Sequence, residues 1–214
     1  YAAFLHRYFR YRRFGSQLAP ASGSMGYGLP AAIAAKLEHP GRTVVCLAGD
    51  GCLQMTVNEL STAAQHGAAV IVLVANNGRY GTIRMHQERS FPGRVSGTDL
   101  ANPDFAALAR AYGGHGETVT RQEDFAAAFA RGQASGRLAL LELRLDPEAL
   151  STGATLSETR AAGEAALQRV GRQEVPGVGL AVERHLADVA VRGAVLRRAE
   201  HQLLAVLEGH RGLL

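Results

Sequence analysis

Apolar residues fall into short runs along this chain, each closed by a turn residue. Thr43–Ala48 and Ala69–Ala75 are the clearest, rich in β-branched side chains and ending in Gly or Asn. Runs of this length without alternation read as strands buried on both faces, the pattern of parallel sheets. Between them, Leu53, Val57, Leu60 and Ala64 recur at helical spacing, which predicts one helix from Leu53 to His66 with Gly67 as its stop. Farther on, the pattern predicts a helix over Asp104–Tyr112, opened by Pro103 and closed by Gly113 and Gly114. A strand over Gly116–Thr120, a helix over Gln122–Ala134 and a strand over Leu138–Leu145 follow, the last ended by Asp146 and Pro147. This alternation predicts an α/β fold: a doubly wound, mostly parallel sheet with helices on both faces, and not a barrel.

The chemistry sits where the first two runs end. Gly49-Asp50-Gly51 closes one, and after 24 residues Asn76-Asn77 closes the other. A strand–helix–strand unit brings Asp50 and Asn77 to the carboxyl ends of two parallel strands, where open α/β sheets bind ligands. A carboxylate and an amide oxygen suit a hard cation such as Mg²⁺, which takes few protein ligands and fills its shell with phosphate oxygens and water. Gly51 allows close approach of backbone to phosphate, and the helix predicted from Leu53 offers unpaired N–H groups. An Asp-Gly turn alone is a weak signal; its spacing, the double Asn and the flanking strands make the pattern specific. A dinucleotide reading of Gly23, Gly26 and Gly28 fails, because their spacing is not G-x-G-x-x-G and no strand precedes them.

Together these residues resemble the thiamine diphosphate motif of the acetohydroxyacid synthase, benzoylformate decarboxylase and pyruvate decarboxylase family, over about Arg12 to Gln168. Ser22–Lys36 is similar to the family's Gly-rich turn and the helix after it. The resemblance implies that Met25 props thiamine into a bent conformation, with the Gly23 carbonyl and the Met25 N–H on the aminopyrimidine. Met25 as ordinary core is the alternative, since Met fills gaps anywhere. The resemblance also implies Asp50, Asn77 and the Arg79 backbone carbonyl as metal ligands, with the Arg79 side chain left to solvent. Gly49, Gly51, Cys52, Tyr80 and Gly81 would surround the diphosphate. His86 departs from the family, standing where acetohydroxyacid synthases carry a Trp that shapes the acceptor pocket; it is either a substrate contact or a surface histidine on a mobile loop.

Composition changes little in this picture. At 47% hydrophobic and 20% charged, the 214 residues can bury one core. No run reaches the roughly 18 apolar residues of a membrane span and no leader pattern is present, so a cytoplasmic protein without membrane contact is expected. Cys46 lies within a predicted strand and Cys52 beside the motif, so no disulfide between them is expected. Cys52 reads as a small residue beside the cofactor, or as an activated thiol near a helix start. The net charge of +4 is almost all arginine, Lys36 being the single lysine. Six aromatic residues share Tyr1–Phe14 with Arg7, Arg10, Arg12 and Arg13. Such interleaving can bind single-stranded nucleic acid. With no other nucleic-acid motif in the chain, packing on a neighbouring domain or subunit is the preferred reading, and no nucleic acid is expected as a partner.

On the resemblance, residues 1–150 form the diphosphate-binding domain with its Arg/aromatic lead-in, 151–170 complete it, and 171–214 form a helical or disordered tail. Leu186, Val189, Leu196, Leu203 and Leu207 form an apolar stripe there, broken at Gly193 and Glu200, too interrupted for a coiled coil. The family completes its site with a second, pyrimidine-binding domain that supplies a glutamate. None is legible here, so a fragment or one subunit of a split enzyme is expected, inactive alone and part of a homo- or hetero-oligomer. Completed, it would decarboxylate a small 2-oxoacid and protonate the product or join it to a second carbonyl compound. Nothing in the sequence speaks to FAD. A decayed, non-catalytic association module is the competing reading.

Overall fold

A computed structural model describes residues 1–172. The apolar stripe beyond residue 171 lies outside the described residues. Four parallel strands form one open sheet: β1 (Val45–Gly49), β2 (Ile71–Asn76), β3 (His115–Val119) and β4 (Ala139–Arg144), in the order β1-β2-β4-β3. The chain moves from β1 to its neighbour β2, passes to the far edge for β3, and returns to β4 between them. The expected doubly wound parallel sheet is the observed one.

Alternation along the strands sends side chains to two apolar layers. Val70, Val72, Val74, Leu138 and Leu140 pack with Leu29 and Ile33 of α2 (Gly28–Glu38), Leu60 of α4 (Glu59–Gln65) and Phe105 of α6 (Phe105–Ala111). On the other face, Ile71, Leu73, Ala139, Leu141 and Leu143 pack with Phe125 and Phe129 of α7 (Phe125–Ala134). β2 is buried along its whole length, which is why its run carries no polar residue before Asn76.

Several expected elements are corrected in detail. The helix expected over 53–66 is two: α3 (Asp50–Gln54) and α4, separated by a turn over residues 55–58. Thr56 Oγ1 donates to the Gly26 carbonyl at 2.9 Å, so this turn is docked on the Gly-rich loop ahead of α2. The apolar spacing of Leu53, Val57 and Leu60 runs across the break because both sides of it face the same core. Asp104 caps α6 instead of lying in it, its Oδ1 accepting from the Ala107 N–H at 2.8 Å. Residues 122–124 form a 3₁₀ turn ahead of α7.

Two helices frame the site side. α5 (Gly81–Ser90) starts just after β2, and α8 (Leu156–Arg172) packs against it. Their contact combines close backbone approach at Gly163 with an ion pair. Glu88 is fully buried and accepts from Arg84 Nε at 3.0 Å, Arg160 Nε at 2.8 Å and the Gly93 N–H at 2.9 Å. α1 (Ala2–Tyr8) buries Phe4, whereas Phe14 beyond it is fully exposed. No helix among the described residues is long and apolar enough to cross a membrane.

Candidate functional site

The site grows from the register of β1 and β2. Gly49 pairs with Ala75, so Asp50 and Asn76 leave the sheet side by side. Asp50 opens α3 and is 2% exposed, an unusual depth for a carboxylate. Its Oδ1 accepts from the Gly51 N–H at 3.0 Å, and its Oδ2 accepts from the Gly78 N–H at 2.9 Å. Gly78 has φ +69°, the left-handed conformation that turns this N–H back toward the strand ends. A direct hydrogen bond therefore joins the two halves of the sequence motif.

The two asparagines divide the work. Asn76 is 3% exposed and structural: Nδ2 donates to Glu142 Oε1 on β4, and Oδ1 accepts from the Gly78 N–H at 3.0 Å. Glu142, itself buried, also accepts from Thr118 Oγ1 at 2.9 Å and pairs with Arg144 at 3.1 Å. Asn77 is half-buried; its Oδ1 accepts only a 3.2 Å bond from the Arg79 N–H, and its amide nitrogen lies over Gly81, where a Cβ would come within 3.0 Å.

The loop after Asn77 is clamped by a later segment. The Tyr80 N–H donates to the Thr98 carbonyl at 2.8 Å, the Leu100 N–H donates to the Gly78 carbonyl at 2.9 Å, and Arg79 bridges to Asp99. Tyr80 lays its ring against Gly51, where a Cβ would lie 2.5 Å from the ring carbon Cε1. Gly51 is thus required by a protein neighbour as well as suited to a phosphate. Arg79 is half-buried, with its Nε buried and without a hydrogen-bond partner among the described residues.

Around this centre the other expected residues take varied positions. The Gly-rich loop carrying Gly23 (φ +69°) and Met25 is tied to the α3–α4 turn through Gly26 and Thr56. Met25 is 39% exposed, which rules out the core reading. Tyr1 donates to Cys52 Sγ at 3.2 Å, with its ring against Gly49, where a Cβ would come within 2.7 Å. Both cysteines are free, and burial pushes the Cys46 thiol up to about 12. His86 is exposed on α5, a helix and not the mobile loop of one reading. Sequence reasoning missed Asn102, whose Nδ2 donates to Asp50 Oδ2 at 2.7 Å and to Asn76 Oδ1 at 2.9 Å. It also missed Gln54, whose amide donates to Asn102 Oδ1 at 2.6 Å. The only sequence hint was an Asn-Pro pair ahead of α6, which marks a turn and names no partner.

The donor set fits a hard divalent cation. Among the described residues no group of three or more His, Cys, Asp and Glu could enclose a metal. Asp50 Oδ1 and Asn77 Oδ1 each accept one N–H and keep a lone pair. One carboxylate and a neutral amide oxygen match a cation that draws the rest of its shell from phosphate and water. The α5 N-terminus, immediately after Asn77, adds unpaired N–H groups of the kind that favour an anion.

Comparison with known proteins agrees with this geometry. Residues 1–143 match the model of the thiamine pyrophosphate enzyme, C-terminal TPP binding domain. The chain is 43% identical over 104 residues to the acetolactate synthase large subunit of Haemophilus influenzae, covering 48% of this chain and 18% of that protein. It is 47% identical over 93 residues to the acetolactate synthase of Arthrospira platensis, covering 42% of this chain and 16% of that protein. Among solved structures, a thiamine diphosphate-dependent 4-hydroxybenzoylformate decarboxylase from Rhodococcus jostii RHA1 superposes with TM-score 0.56 at 39% identity, over 60% of this chain and 25% of that one. The benzoylformate decarboxylase of Polynucleobacter necessarius gives 0.55 at 29% identity, with the same coverage. The chain thus spans about a fifth of the length of its curated relatives. A parallel sheet, a GDG strand end hydrogen-bonded to an NN strand end, and a family match over two-thirds of the sequence converge: this chain belongs to the C-terminal TPP-binding domains of thiamine pyrophosphate enzymes of the acetolactate synthase and decarboxylase type.

Proposed function

We propose that this chain holds the Mg²⁺–diphosphate end of thiamine diphosphate within a 2-oxoacid decarboxylase or carboligase, and is inactive until a pyrimidine-binding domain completes the site. The observation that carries the reading is the 2.9 Å bond from the Gly78 N–H to Asp50 Oδ2, which brings the two motif halves to one spot at the carboxyl edge of the sheet. Asp50, Asn77 and the Arg79 carbonyl are the proposed cation ligands. Gly49, Gly51, Cys52, Tyr80 and Gly81 line the diphosphate. Met25 and the Gly23 loop, tied to the α3–α4 turn, orient the aminopyrimidine. When bound, thiamine diphosphate would supply the nucleophilic carbon and the electron sink that decarboxylation of a 2-oxoacid needs. The residues of this chain bind and orient; the proton chemistry at the pyrimidine falls to the glutamate of the partner domain, from elsewhere in the protein or another subunit. His86, exposed on α5, is the proposed substrate contact of this chain.

Calorimetric titration with thiamine diphosphate, with Mg²⁺ and again with chelator, tests this. Heat is expected with Mg²⁺ only, and none from Asp50→Ala. Equal binding by wild type and Asp50→Ala would remove the metal assignment.

A further inference from the structure

Counting acceptor sites on Asp50 shows an asymmetry between its oxygens. Each carboxylate oxygen offers about two lone-pair directions. Oδ2 has both taken, by the Gly78 N–H at 2.9 Å and Asn102 Nδ2 at 2.7 Å. Oδ1 has one taken, by the N–H of the next residue at 3.0 Å. Bonds from an amide to a carboxylate are charge-assisted and strong in a buried setting, so Oδ2 is held and Oδ1 is open.

Asn102 is what makes the difference. Both of its amide hydrogens are used, one on Asp50 Oδ2 and one on Asn76 Oδ1 at 2.9 Å. Its carbonyl oxygen accepts from Gln54 Nε2 at 2.6 Å. A flipped amide would set its oxygen against two acceptors and its nitrogen against a donor, so the network fixes the orientation. The segment before it is locked by the backbone bonds between Gly78–Tyr80 and Thr98–Leu100. Without Asn102, Oδ2 would keep one bond, and the broad carboxylate torsion of Asp would let the group swing.

We propose that Asn102, held by Gln54, is a positioning residue of the cation site: it pins one oxygen of Asp50 and leaves the other to the metal. This rests on the reading of Asp50 as a cation ligand. Groups that orient a metal ligand from behind are worth about 10- to 100-fold in metal affinity.

The test uses Mn²⁺ as the probe, titrated into the whole chain with thiamine diphosphate and followed by electron paramagnetic resonance. Asn102→Leu keeps the branched shape and drops both donated bonds; Asn102→Ala drops the bonds and the shape. Both are expected to weaken Mn²⁺ binding by about 10- to 100-fold. Gln54→Met removes only the tether and should give a smaller loss in the same direction. If Asn102 merely packs, Asn102→Leu binds Mn²⁺ as wild type does and only the alanine variant suffers. Wild-type Mn²⁺ affinity in both Asn102→Leu and Gln54→Met overturns the proposal while leaving the Asp50 reading intact. Wild-type affinity in Asp50→Ala, or no uptake by the wild-type chain, overturns that reading and this one with it.

Discussion

Adjacent identical residues with opposite duties make the sharpest case at the residue scale. Asn76 is buried and bonded to Glu142, Gly78 and Asn102, whereas Asn77 keeps an open lone pair at the edge of the loop. Asn76→Ala strands the buried partners of its amide, and a stability loss of about 1–3 kcal/mol is expected in urea unfolding. Asn77→Ala loses only the long bond from the Arg79 N–H and should cost less stability than Asn76→Ala, yet abolish Mg²⁺-dependent cofactor binding. Equal destabilisation by the two would contradict this division. The resemblance singles out Asn77, but residue type and position at a strand end do not tell the two asparagines apart. What separates them is the direction each side chain takes as the strand ends, and the presence of Glu142, 66 positions away, to receive one of them.

Among the elements, α8 is held to α5 by charge. Glu88 is held at about 2, well below the ordinary carboxylate range of about 4.5, by hydrogen bonds from Arg160 first, against the cost of its burial, with the Gly93 N–H and Arg84 adding to the effect. A depressed folded-state value means that this stabilisation is complete above the unfolded carboxylate value of about 4.5 and is lost as pH falls through about 2. Hydrogen exchange of α8 amides should therefore accelerate as pH drops across that window, after correction for intrinsic rates. In Arg160→Ala the acceleration should already be present at neutral pH; unchanged protection in that variant would show that α8 is held by its apolar contacts instead. Elements were legible to the extent that their signal was local. The strand runs and the ends of β1 and β2 follow from β-branched residues closed by Gly or Asn. The break between α3 and α4 did not show; the turn there is docked by a hydrogen bond to Gly26, 30 positions back, which local spacing does not reveal. Asn102 and the Glu88–Arg160 pair were illegible for the same reason, their partners lying 52 and 72 positions away.

For the whole molecule, the proposed function makes the described residues one side of a cofactor site. Asp50 and Asn77 lie where β1 and β2 end, the Gly23–Met25 loop is tied to the α3–α4 turn through Gly26 and Thr56, and Met25 is 39% exposed. Added in trans, a pyrimidine-binding domain bearing the glutamate is expected to confer 2-oxoacid decarboxylation, measured as CO₂ release. The same mixture with Asp50→Ala should stay silent, and activity from the chain without any added domain would contradict the proposed division of the site.

The network around Asp50 also bears on the order in which the molecule folds. Its members come from Asp50 and Gln54, from Asn76 and Gly78, and from Asn102, so it exists only after three separate stretches of chain have met. Each closure costs entropy that grows with the intervening length, and contacts distant in sequence form late. A compact intermediate with β1 paired to β2 would still have Asp50 loose until the 98–102 segment docks. On the proposed function, competence to take up the cation follows the docking of the 98–102 segment, and its appearance during refolding would time that step.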